Sequence, residues 1–181
     1  DETLRRRLTF KVGDYLDPIL VETCRKTLVE FYQKKGFAFV QVEFDAEQLR
    51  RGDVVYRIDE GPRVKIKSVK LVGNAALKTG ALKKAIKTKA KRLFVLPAYY
   101  IEEKVTADEG KLGKTYYHKG FLDARITARR DFSEDKSKIH ITFVIDEGAA
   151  YSIEQISIAG NEQLDEEKLR AVLKSRAGQI Y

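Results

Sequence analysis

The sequence is poor in the side chains that crosslink a fold or bind zinc. It contains one cysteine, Cys24, and two histidines, His118 and His140. A single cysteine cannot form an internal disulfide, and these residues do not complete a set of zinc ligands at suitable spacing. A disulfide scaffold and a zinc module are therefore excluded. Cys24 lies on a helical stripe, where we interpret it as a small buried hydrophobe.

Long apolar runs are also missing. No stretch approaches the roughly 18 consecutive apolar residues that a membrane-spanning helix requires, so the sequence predicts no such helix. No basic and then apolar signal segment opens the chain, which begins Asp1-Glu2-Thr3-Leu4 without an initiator methionine. We interpret the 181 residues as a piece of a longer protein.

The composition that is present is typical of folded domains. Hydrophobic residues make up 43% and charged residues 34% of the chain. The 35 Lys and Arg residues outnumber the 27 Asp and Glu residues, which gives a net charge of +8. This basic excess makes acidic partners, anionic membrane surfaces and nucleic acids the polyanions to consider.

An internal repeat organises the chain. Asp59-Glu60-Gly61 recurs as Asp146-Glu147-Gly148 at an offset of 87 residues, and a Tyr-x-x-x-Gly-Phe step recurs at an offset of 84. The repeating unit is a domain of roughly 85 residues, large enough for a modest core of its own. In the 87-residue set, Ile66, Val69, Leu71, Gly73 and Asn74 correspond to Ile153, Ile156, Ile158, Gly160 and Asn161. In the 84-residue set, Tyr32, Gly36 and Phe37 correspond to Tyr116, Gly120 and Phe121.

One unit has the predicted order β-α-α-β-β. In the complete copy, alternation of apolar residues predicts strands from Ile66 to Leu71, from Ala124 to Asp131 and from Ile139 to Ile145. Helical spacing follows the Gly73-Asn74 turn, and a second helix is clearest after Asp17-Pro18, an N-cap followed by proline. The buried stripe of that second helix is predicted to be Leu20, Cys24, Leu28 and Tyr32.

We therefore predict an α+β fold of tandem β-α-α-β-β units. Each unit is expected to be a small three-stranded mixed sheet covered on one face by two helices. The apolar run Ile139 to Ile145 is placed in the centre of its sheet, between the opening strand and the Ala124 to Asp131 strand. The predicted domains are residues 1–62, a unit lacking its first strand, residues 63–149, a complete unit, and residues 150–181, the opening strand and helix of a further unit.

In combination, these features resemble the POTRA family, the polypeptide-transport-associated domains of BamA-like outer-membrane β-barrel assembly proteins. The features are the β-α-α-β-β order, the Tyr-x-x-x-Gly-Phe step, the Glu-Gly link and the Gly-Asn turn. The likeness covers the whole chain. The middle copy departs from the family pattern, because residues 91–97 stand where the other copies have Gly13 and Gly178 before the second helix.

The resemblance implies a protein that is not an enzyme and carries no cofactor. A POTRA arm is expected in the periplasm of a Gram-negative bacterium, ahead of a C-terminal membrane barrel of the same chain. It is expected to receive unfolded outer-membrane proteins and to dock accessory assembly lipoproteins. Two alternatives stay open: the POTRA arm of a two-partner secretion or organelle import transporter, and a basic repeat module that binds nucleic acid.

No catalytic constellation or metal site is predicted from the residues themselves. Asp59-Glu60 and Asp146-Glu147 look like acid/base pairs, but adjacent residues of a strand point to opposite faces. Their carboxylates would therefore not converge on a substrate. His118 and His140 have no suitably spaced third ligand or nucleophile.

The edge strands are the predicted peptide-binding sites. An edge strand presents unpaired backbone N–H and C=O groups, so an extended peptide can add to it with little demand on side-chain identity. The two edge strands are predicted at Ala38 to Asp45 and at Ala124 to Asp131, and no proline interrupts either of them. The alternative is that a neighbouring unit covers the edge. The predicted peptide-binding residues are Ala38, Val40, Val42, Phe44, Ala124, Ile126, Ala128 and Arg129.

Two further features are predicted around these strands. An apolar groove near Ile101, Val105 and Leu112, between the later strand and the second helix, is expected to hold client side chains. Gly61-Pro62 and Gly148-Ala149 are expected to be interdomain hinges that set the angle between units. Pro62 is expected to stiffen the first hinge more than the second.

A basic run is the last candidate site. Residues 78–92 contain seven Lys and Arg residues and no Asp or Glu. We interpret the run first as a solvated helix face, then as a patch for anionic headgroups or an acidic partner, and least as a nucleic-acid site. The predicted patch residues are Lys83, Lys84, Lys87, Lys91 and Arg92.

Overall fold

Six helices and five strands make up the part of the chain that the computed structural model describes, residues 2–5, 10–11, 13–15, 17–90 and 97–178. None of the helices in these residues is long and apolar enough to cross a membrane. The elements in chain order are α1 (Glu2–Arg5), α2 (Pro18–Lys34), β1 (Gln41–Phe44), α3 (Ala46–Arg50), β2 (Tyr56–Asp59), β3 (Lys65–Val72), α4 (Thr79–Ala85), α5 (Glu102–Tyr117), β4 (Arg125–Phe132), β5 (Lys138–Asp146) and α6 (Glu166–Val172).

The start of α2 confirms its predicted cap. The Asp17 side chain accepts a hydrogen bond from the N–H of Ile19 at 2.8 Å, and Pro18 occupies the first turn. The buried face differs by one residue from the prediction, because Val21 is buried where Leu20 is only half-buried. A constant spacing of four drifts around a helix with 3.6 residues per turn, so the buried stripe continues to Val21.

The first copy contains a two-stranded antiparallel sheet. β1 and β2 pair from Gln41 opposite Asp59 to Phe44 opposite Tyr56. The predicted strand from residue 38 to residue 45 is therefore shorter than expected. Asp45 caps α3 by accepting hydrogen bonds from the next turn of backbone, and that helix was not predicted because it holds barely one turn.

The middle copy contains the predicted three-stranded mixed sheet. The strand order is β3-β5-β4, so β5 is central as expected. The N–H of Lys65 donates to the C=O of Ser137 where β3 and β5 both begin, and Gly73 lies against Ile145 where both end. These two strands are therefore parallel, while a hairpin joins β4 to β5. The buried face of β5 consists of Ile139, Ile141, Phe143 and Ile145.

The helices of the middle copy bury their apolar stripes. Leu82 of α4 is fully buried, and so are Val105, Leu112 and Tyr116 of α5. Asp108 of α5 is a buried charged residue among them. The observed sheet and helices confirm the predicted α+β fold class.

Residues 150–178 contain a helix but no strand. α6 begins after Asp165, whose side chain accepts a hydrogen bond from the N–H of Glu167. The predicted strand from Ile153 to Ile158 is not formed. An opening strand of this fold is stabilised by the closing strand that pairs with it, as β5 does with β3, and no such strand follows α6 in the described residues.

The chain packs as two compact units whose limits differ from those of the sequence copies. One unit comprises Asp1–Val69, Thr88–Val105 and Arg130–Ile141, and the other comprises Lys70–Lys87, Thr106–Arg129 and Thr142–Tyr181. The first therefore includes the beginnings of β3 and β5 together with the first copy. The domain limits at residues 62 and 149 stay predictions about the repeat.

Candidate functional site

β4 presents backbone groups at the edge of its sheet. The N–H of Ser133 donates to the C=O of Lys138 at 3.0 Å, which closes the β4–β5 hairpin. Hydrogen bonding alternates along an antiparallel strand, so alternate residues counted back from Ser133 face β5. The N–H and C=O groups of Ile126, Ala128 and Arg130 consequently point away from β5.

A helix side chain bonds to this outward edge. Glu109 of α5 accepts a hydrogen bond from the N–H of Ala128 through its Oε1 atom at 2.5 Å. The contact joins residues 19 apart in sequence. Sequence analysis missed Glu109, because no local pattern tells which side chain of a helix reaches a later strand.

The edge of β1 has a corresponding contact. The N–H of Asp45 donates to the C=O of Val55 at 3.4 Å. Alternation then directs the backbone groups of Val42 and Phe44 to the outer side. Arg25 of α2 donates to the C=O of Val42 through Nη1 at 3.3 Å. Both edges are thus contacted by a charged residue of the preceding helix.

The predicted peptide-binding residues contribute their side chains mainly to packing. The buried ones are Val40, Val42 and Ala128, and the half-buried ones are Ala38, Phe44, Ala124 and Ile126. Arg129 is exposed. An added strand would therefore meet the backbone of these residues, as the prediction requires.

The predicted apolar groove is wrong in its residues. Val105 and Leu112 have a relative exposure of 0%, and Ile101, which precedes α5, is half-buried. The helical spacing of these residues comes from packing into the core. Residues that line a groove would show the same spacing in the sequence. The face of α5 toward β4 instead carries Glu109 and Gly113, and a Cβ at Gly113 would lie 3.8 Å from the Ile126 side chain.

The two predicted hinges are built alike at the backbone. The N–H of Val64 donates to the C=O of Gly36 at 2.9 Å, and the N–H of Tyr151 donates to the C=O of Gly120 at 2.8 Å. Each bond ties the residue after a link to the glycine that ends the preceding long helix. The repeat therefore extends to the junctions between copies.

The links themselves turn at their glycines. Gly61 has φ of 60° and Gly148 has φ of 64°, in the left-handed region that glycine tolerates. Pro62 follows the first glycine and is half-buried, whereas Ala149 follows the second and is exposed. How far each link bends stays a prediction.

Side chains strengthen the first junction in a way that the sequence did not reveal. Arg63 donates to the C=O of Lys35 through Nε at 2.7 Å, and its guanidinium lies 3.6 Å from the centre of the Tyr99 ring. Gly36 approaches Tyr99 so closely that a Cβ there would lie 2.6 Å from the tyrosine Cβ. Tyr99 therefore has a packing role at this junction.

The second junction uses a different pair. The hydroxyl of Tyr151 donates to Oδ2 of Asp123 at 2.5 Å. This bond to a carboxylate is the main reason that the pKa of Tyr151 is raised. Asp123 stands at the position that Phe39 occupies in the first copy, 84 residues earlier.

Glu147 has a structural role within its own copy. Both of its carboxylate oxygens accept from the N–H of Ala76 at 3.0 Å, and Oε1 accepts from the Tyr116 hydroxyl at 2.8 Å. Burial alone would raise the pKa of Glu147, but these donors hold it below its ordinary value. Its carboxylate is used to close the turn after β3 and not to meet a substrate.

The basic run lies on and after α4. Lys83, Lys84 and Lys87 are exposed, while Lys91 and Arg92 lie outside the described residues. The backbone of this segment is tied down by Asp108, which accepts from the N–H of Lys87 at 2.9 Å. The three lysine side chains are therefore presented from an anchored segment.

The described residues contain no group of three or more His, Cys, Asp or Glu that could hold a metal ion. Glu147 of the Asp146-Glu147 pair is committed to Ala76 and Tyr116. The strongest candidate site is consequently the outward backbone of the edge strands.

Comparisons with known proteins agree with the repeat. The model of the POTRA family, described as a surface antigen variable number repeat, matches residues 1–61 and 64–148. The outer membrane protein assembly factor BamA of Nitratidesulfovibrio vulgaris is 25% identical over 175 residues, which are 92% of this chain and 22% of that protein. The BamA of Neorickettsia risticii is 26% identical over 133 residues, 71% of this chain and 18% of that protein.

The fold is similar to that of solved POTRA arms. The crystal structure of Haemophilus influenzae BamA POTRA3-5 superposes with a TM-score of 0.56 at 19% identity, covering 100% of this chain and 74% of that one. At this identity the likeness concerns the fold alone. The chain spans about a fifth of the length of the curated relatives that it matches.

Proposed function

The chain belongs to the POTRA family, and on that premise we propose that it is the periplasmic arm of an outer-membrane protein assembly factor that receives unfolded clients by strand addition. The family match confirms the resemblance read from the sequence. The observation that carries the proposal is the edge position of β4 in the strand order β3-β5-β4. It is supported by the relatives that are named outer membrane protein assembly factors.

Strand addition suits such clients physically. Backbone hydrogen bonds give affinity that depends little on side-chain identity, and one arm must bind many unrelated outer-membrane proteins before they fold. Arg125 and Arg129, which are exposed on β4, would deter uncontrolled association of edges while leaving the backbone available. The arm acts as a binding module and not as an enzyme.

The proposal includes two further partners. Accessory assembly lipoproteins would dock on the arm, and a membrane barrel C-terminal to these residues would take over the client. The exposed side chains of Lys83, Lys84 and Lys87 could contact an anionic membrane surface. A contact of this kind, or one with nucleic acid, would weaken steeply with added salt.

The test is an NMR titration of this chain with a peptide of about ten residues taken from a transmembrane strand of an outer-membrane barrel. We expect amide shifts along β4 and β1 that persist in high salt. Ile126→Pro removes the outward N–H of residue 126. Ile126→Ala keeps this N–H and also shortens the side chain, so it is the matched control. Proline is tolerated at an edge position whose N–H faces solvent.

The two variants separate backbone pairing from side-chain contact. If strand addition is correct, Ile126→Pro abolishes the shifts along β4 and Ile126→Ala retains most of them. Equal binding by the wild type and Ile126→Pro would refute pairing along β4. Shifts confined to residues 78–90 and erased by salt would instead indicate an electrostatic binding module.

A further inference from the structure

The first copy has a sheet edge whose counterpart in the middle copy is covered by a strand. β2 and β5 are the closing strands of the two copies, and the 87-residue offset relates Tyr56 to Phe143 and Ile58 to Ile145. β5 lies between β3 and β4, whereas β2 pairs only with β1 in the described residues. In that part of the chain, no strand lies on the side of β2 that faces away from β1.

The backbone of β2 presents hydrogen-bonding groups along this outer side. The N–H of Asp45 donates to the C=O of Val55, which fixes the alternation of bonds between β1 and β2. The N–H and C=O groups of Tyr56 and Ile58 consequently point away from β1. None of the residues that the structure describes forms a hydrogen bond with these outward groups.

The side chains of β2 are also less covered than their counterparts in β5. Phe143 and Ile145 have relative exposures of 0% and 4%, whereas Tyr56 and Ile58 are half-buried. Tyr56 and Ile58 are partly buried neighbours of the core cluster of the first copy. A strand added beside β2 would remove more of their apolar surface from water, which is favourable.

Residues 153–158 have the sequence of a strand that suits this edge. Three isoleucines of the segment stand where β3 has apolar residues, at the 87-residue offset that relates the copies. The corresponding pairs are Ile153 with Ile66, Ile156 with Val69 and Ile158 with Leu71. The segment nevertheless forms no strand in the structure. The first copy thus has an edge without an opening strand, and residues 153–158 are an opening-strand sequence without an edge.

We propose that residues 153–158 of a second copy of this chain add to the outer edge of β2 as a parallel strand, in the way that β3 pairs with β5. This inference does not depend on the proposed function of β4. The donated segment and the accepting edge are different surfaces of the chain. The contact is therefore heterologous and joins copies of the chain head to tail.

A glycine of the donated segment suits the pairing at its end. In the middle copy a Cβ on Gly73 would clash with the C=O oxygen of Ile145, so the close approach of β3 to β5 requires glycine there. Gly160 corresponds to Gly73, has φ of 82° and has open space around it. In the proposed pair, Gly160 lies against the C=O of Ile58, the counterpart of Ile145.

The helix that follows the donated strand limits the affinity between whole chains. Leu4 of α1 packs against the core cluster of the first copy. Leu4 precedes Gly13 by the same nine residues by which Leu169 of α6 precedes Gly178, so α1 and α6 stand at one position of the repeat. The two helices compete for one place when a chain donates its strand. A peptide that ends before α6 avoids this competition, and we expect it to bind more tightly than a whole chain.

The first experiment is an NMR titration of the isotope-labelled 181-residue chain with a free peptide of residues 151–161. We expect amide shifts along β2 that persist in high salt, because backbone bonds and apolar contacts form the pair. Gly160→Ala in the peptide should weaken binding at least about tenfold, because a left-handed conformation and a close approach both disfavour a side chain. Glu154→Gln is the matched control peptide and should bind like the wild type, because Glu154 is exposed and stands where β3 has the exposed Lys67.

The second experiment measures self-association of the unlabelled chain by sedimentation velocity. We expect the average mass to rise with protein concentration, because each chain has one donated segment and one accepting edge. Addition of the wild-type peptide should return the mass to that of the monomer. The peptide with Gly160→Ala should leave the larger species in place.

Three results would each overturn the proposal. One is a wild-type peptide that leaves the amides of β2 unshifted or shifts those of β1 alone. Another is equal affinity of the wild-type and Gly160→Ala peptides, which would exclude a pairing like that of β3 with β5. The last is a chain that stays monomeric at every concentration, since no second copy then donates its strand. None of these results concerns β4, so the Ile126→Pro experiment tests the proposed function separately.

Discussion

The hydroxyl of Tyr116 lies 2.8 Å from Oε1 of Glu147 and joins the end of α5 to the link that follows β5. The same carboxylate accepts from the N–H of Ala76, so one side chain connects helix, link and the turn after β3. The first copy has the same two residue types at these positions, and there burial, followed by the nearby Glu60 carboxylate, raises the pKa of Tyr32. The Tyr-x-x-x-Gly-Phe step and the Glu-Gly link are therefore parts of one structural device.

Removing this hydroxyl should destabilise the middle copy. We expect Tyr116→Phe to lower the free energy of unfolding by about 1.5 to 3 kcal/mol, the range for hydrogen bonds to charged groups. Urea denaturation at neutral pH measures the change. Tyr117→Phe is the control, because Tyr117 is 51% exposed and should unfold like the wild type. An unchanged midpoint for Tyr116→Phe would refute the role of the hydroxyl.

The stability of the protein should depend on the charge of Glu147. The pKa of Glu147 is lower in the folded state than its ordinary value, because backbone N–H groups and Tyr116 outweigh the effect of burial. The resulting stabilisation is complete above the unfolded-state pKa of about 4.3 and is lost as pH falls through the folded-state pKa. We expect this acid-induced loss to be smaller in Tyr116→Phe.

The acid-induced loss of stability must be measured in both the wild type and Tyr116→Phe. Asp135 also titrates in acid, since side-chain hydrogen bonds from Ser133 and Ser137 lower its pKa to about 2. Its contribution is the same in the wild type and in Tyr116→Phe, so it cancels in the difference between their unfolding free energies. Parallel curves for the two proteins below pH of about 4.3 would contradict the assignment to Glu147.

Two glycines at the same place in the repeat should respond differently to alanine. Gly73 has φ of 88° and a Cβ there would lie 1.9 Å from the C=O oxygen of Ile145, whereas Gly160 has φ of 82° and open space. We expect Gly73→Ala to lower the free energy of unfolding by at least about 2 kcal/mol, from strain and a backbone clash. Gly160→Ala should cost about 1 kcal/mol from strain alone. Equal effects in thermal unfolding would contradict the close approach.

The buried carboxylate of Asp108 should be required for stability. It accepts from the N–H of Lys87 at 2.9 Å and from Nζ of Lys111 at 2.7 Å. Asp108→Ala should cost about 1 to 3 kcal/mol, because a buried donor loses its acceptor. Asp108→Asn keeps an oxygen for Lys87 and should cost less. Hydrogen exchange of the Lys87 amide should be accelerated by alanine and much less by asparagine.

Arg63 should stabilise the first junction through the shape of its side chain. We expect Arg63→Lys to lower the free energy of unfolding by about 0.5 to 1 kcal/mol, because lysine loses the bond to the Lys35 carbonyl and the stacking on Tyr99. Arg57→Lys is the control, since Arg57 forms only a surface ion pair with Asp45. If Arg63→Lys leaves the free energy of unfolding in urea unchanged, the junction is stabilised by its backbone contacts alone.

Much of the fold could be predicted because its signals are local. Alternation identified β4 and β5, the apolar run identified β5 as the central strand, and Asp17-Pro18 marked the start of α2. The errors have equally local causes. α3 is too short for a periodic signal, and the Ile153 to Ile158 segment has strand composition without a partner strand in the described residues.

The candidate site was predictable only in part. The edge position of β4 follows from strand order, which the apolar content of the strands indicated. The groove residues Val105 and Leu112 were misplaced, because a helical stripe has the same spacing whether it faces a core or a cleft. Glu109 and Arg25 could have been suspected only from the 84-residue offset, which shows two charged residues at one position of the repeat.

By itself the sequence determined the repeat, the order of elements and the family, since each of these is written in spacings between residues close along the chain. Only the tertiary structure decided which polar groups meet, such as Tyr116 with Glu147 or Glu109 with Ala128. These pairs depend on hydrogen bonds whose geometry is sensitive to distances of a few tenths of an ångström. Residues far apart in sequence reach that precision only after the packed core has oriented the helix against the sheet.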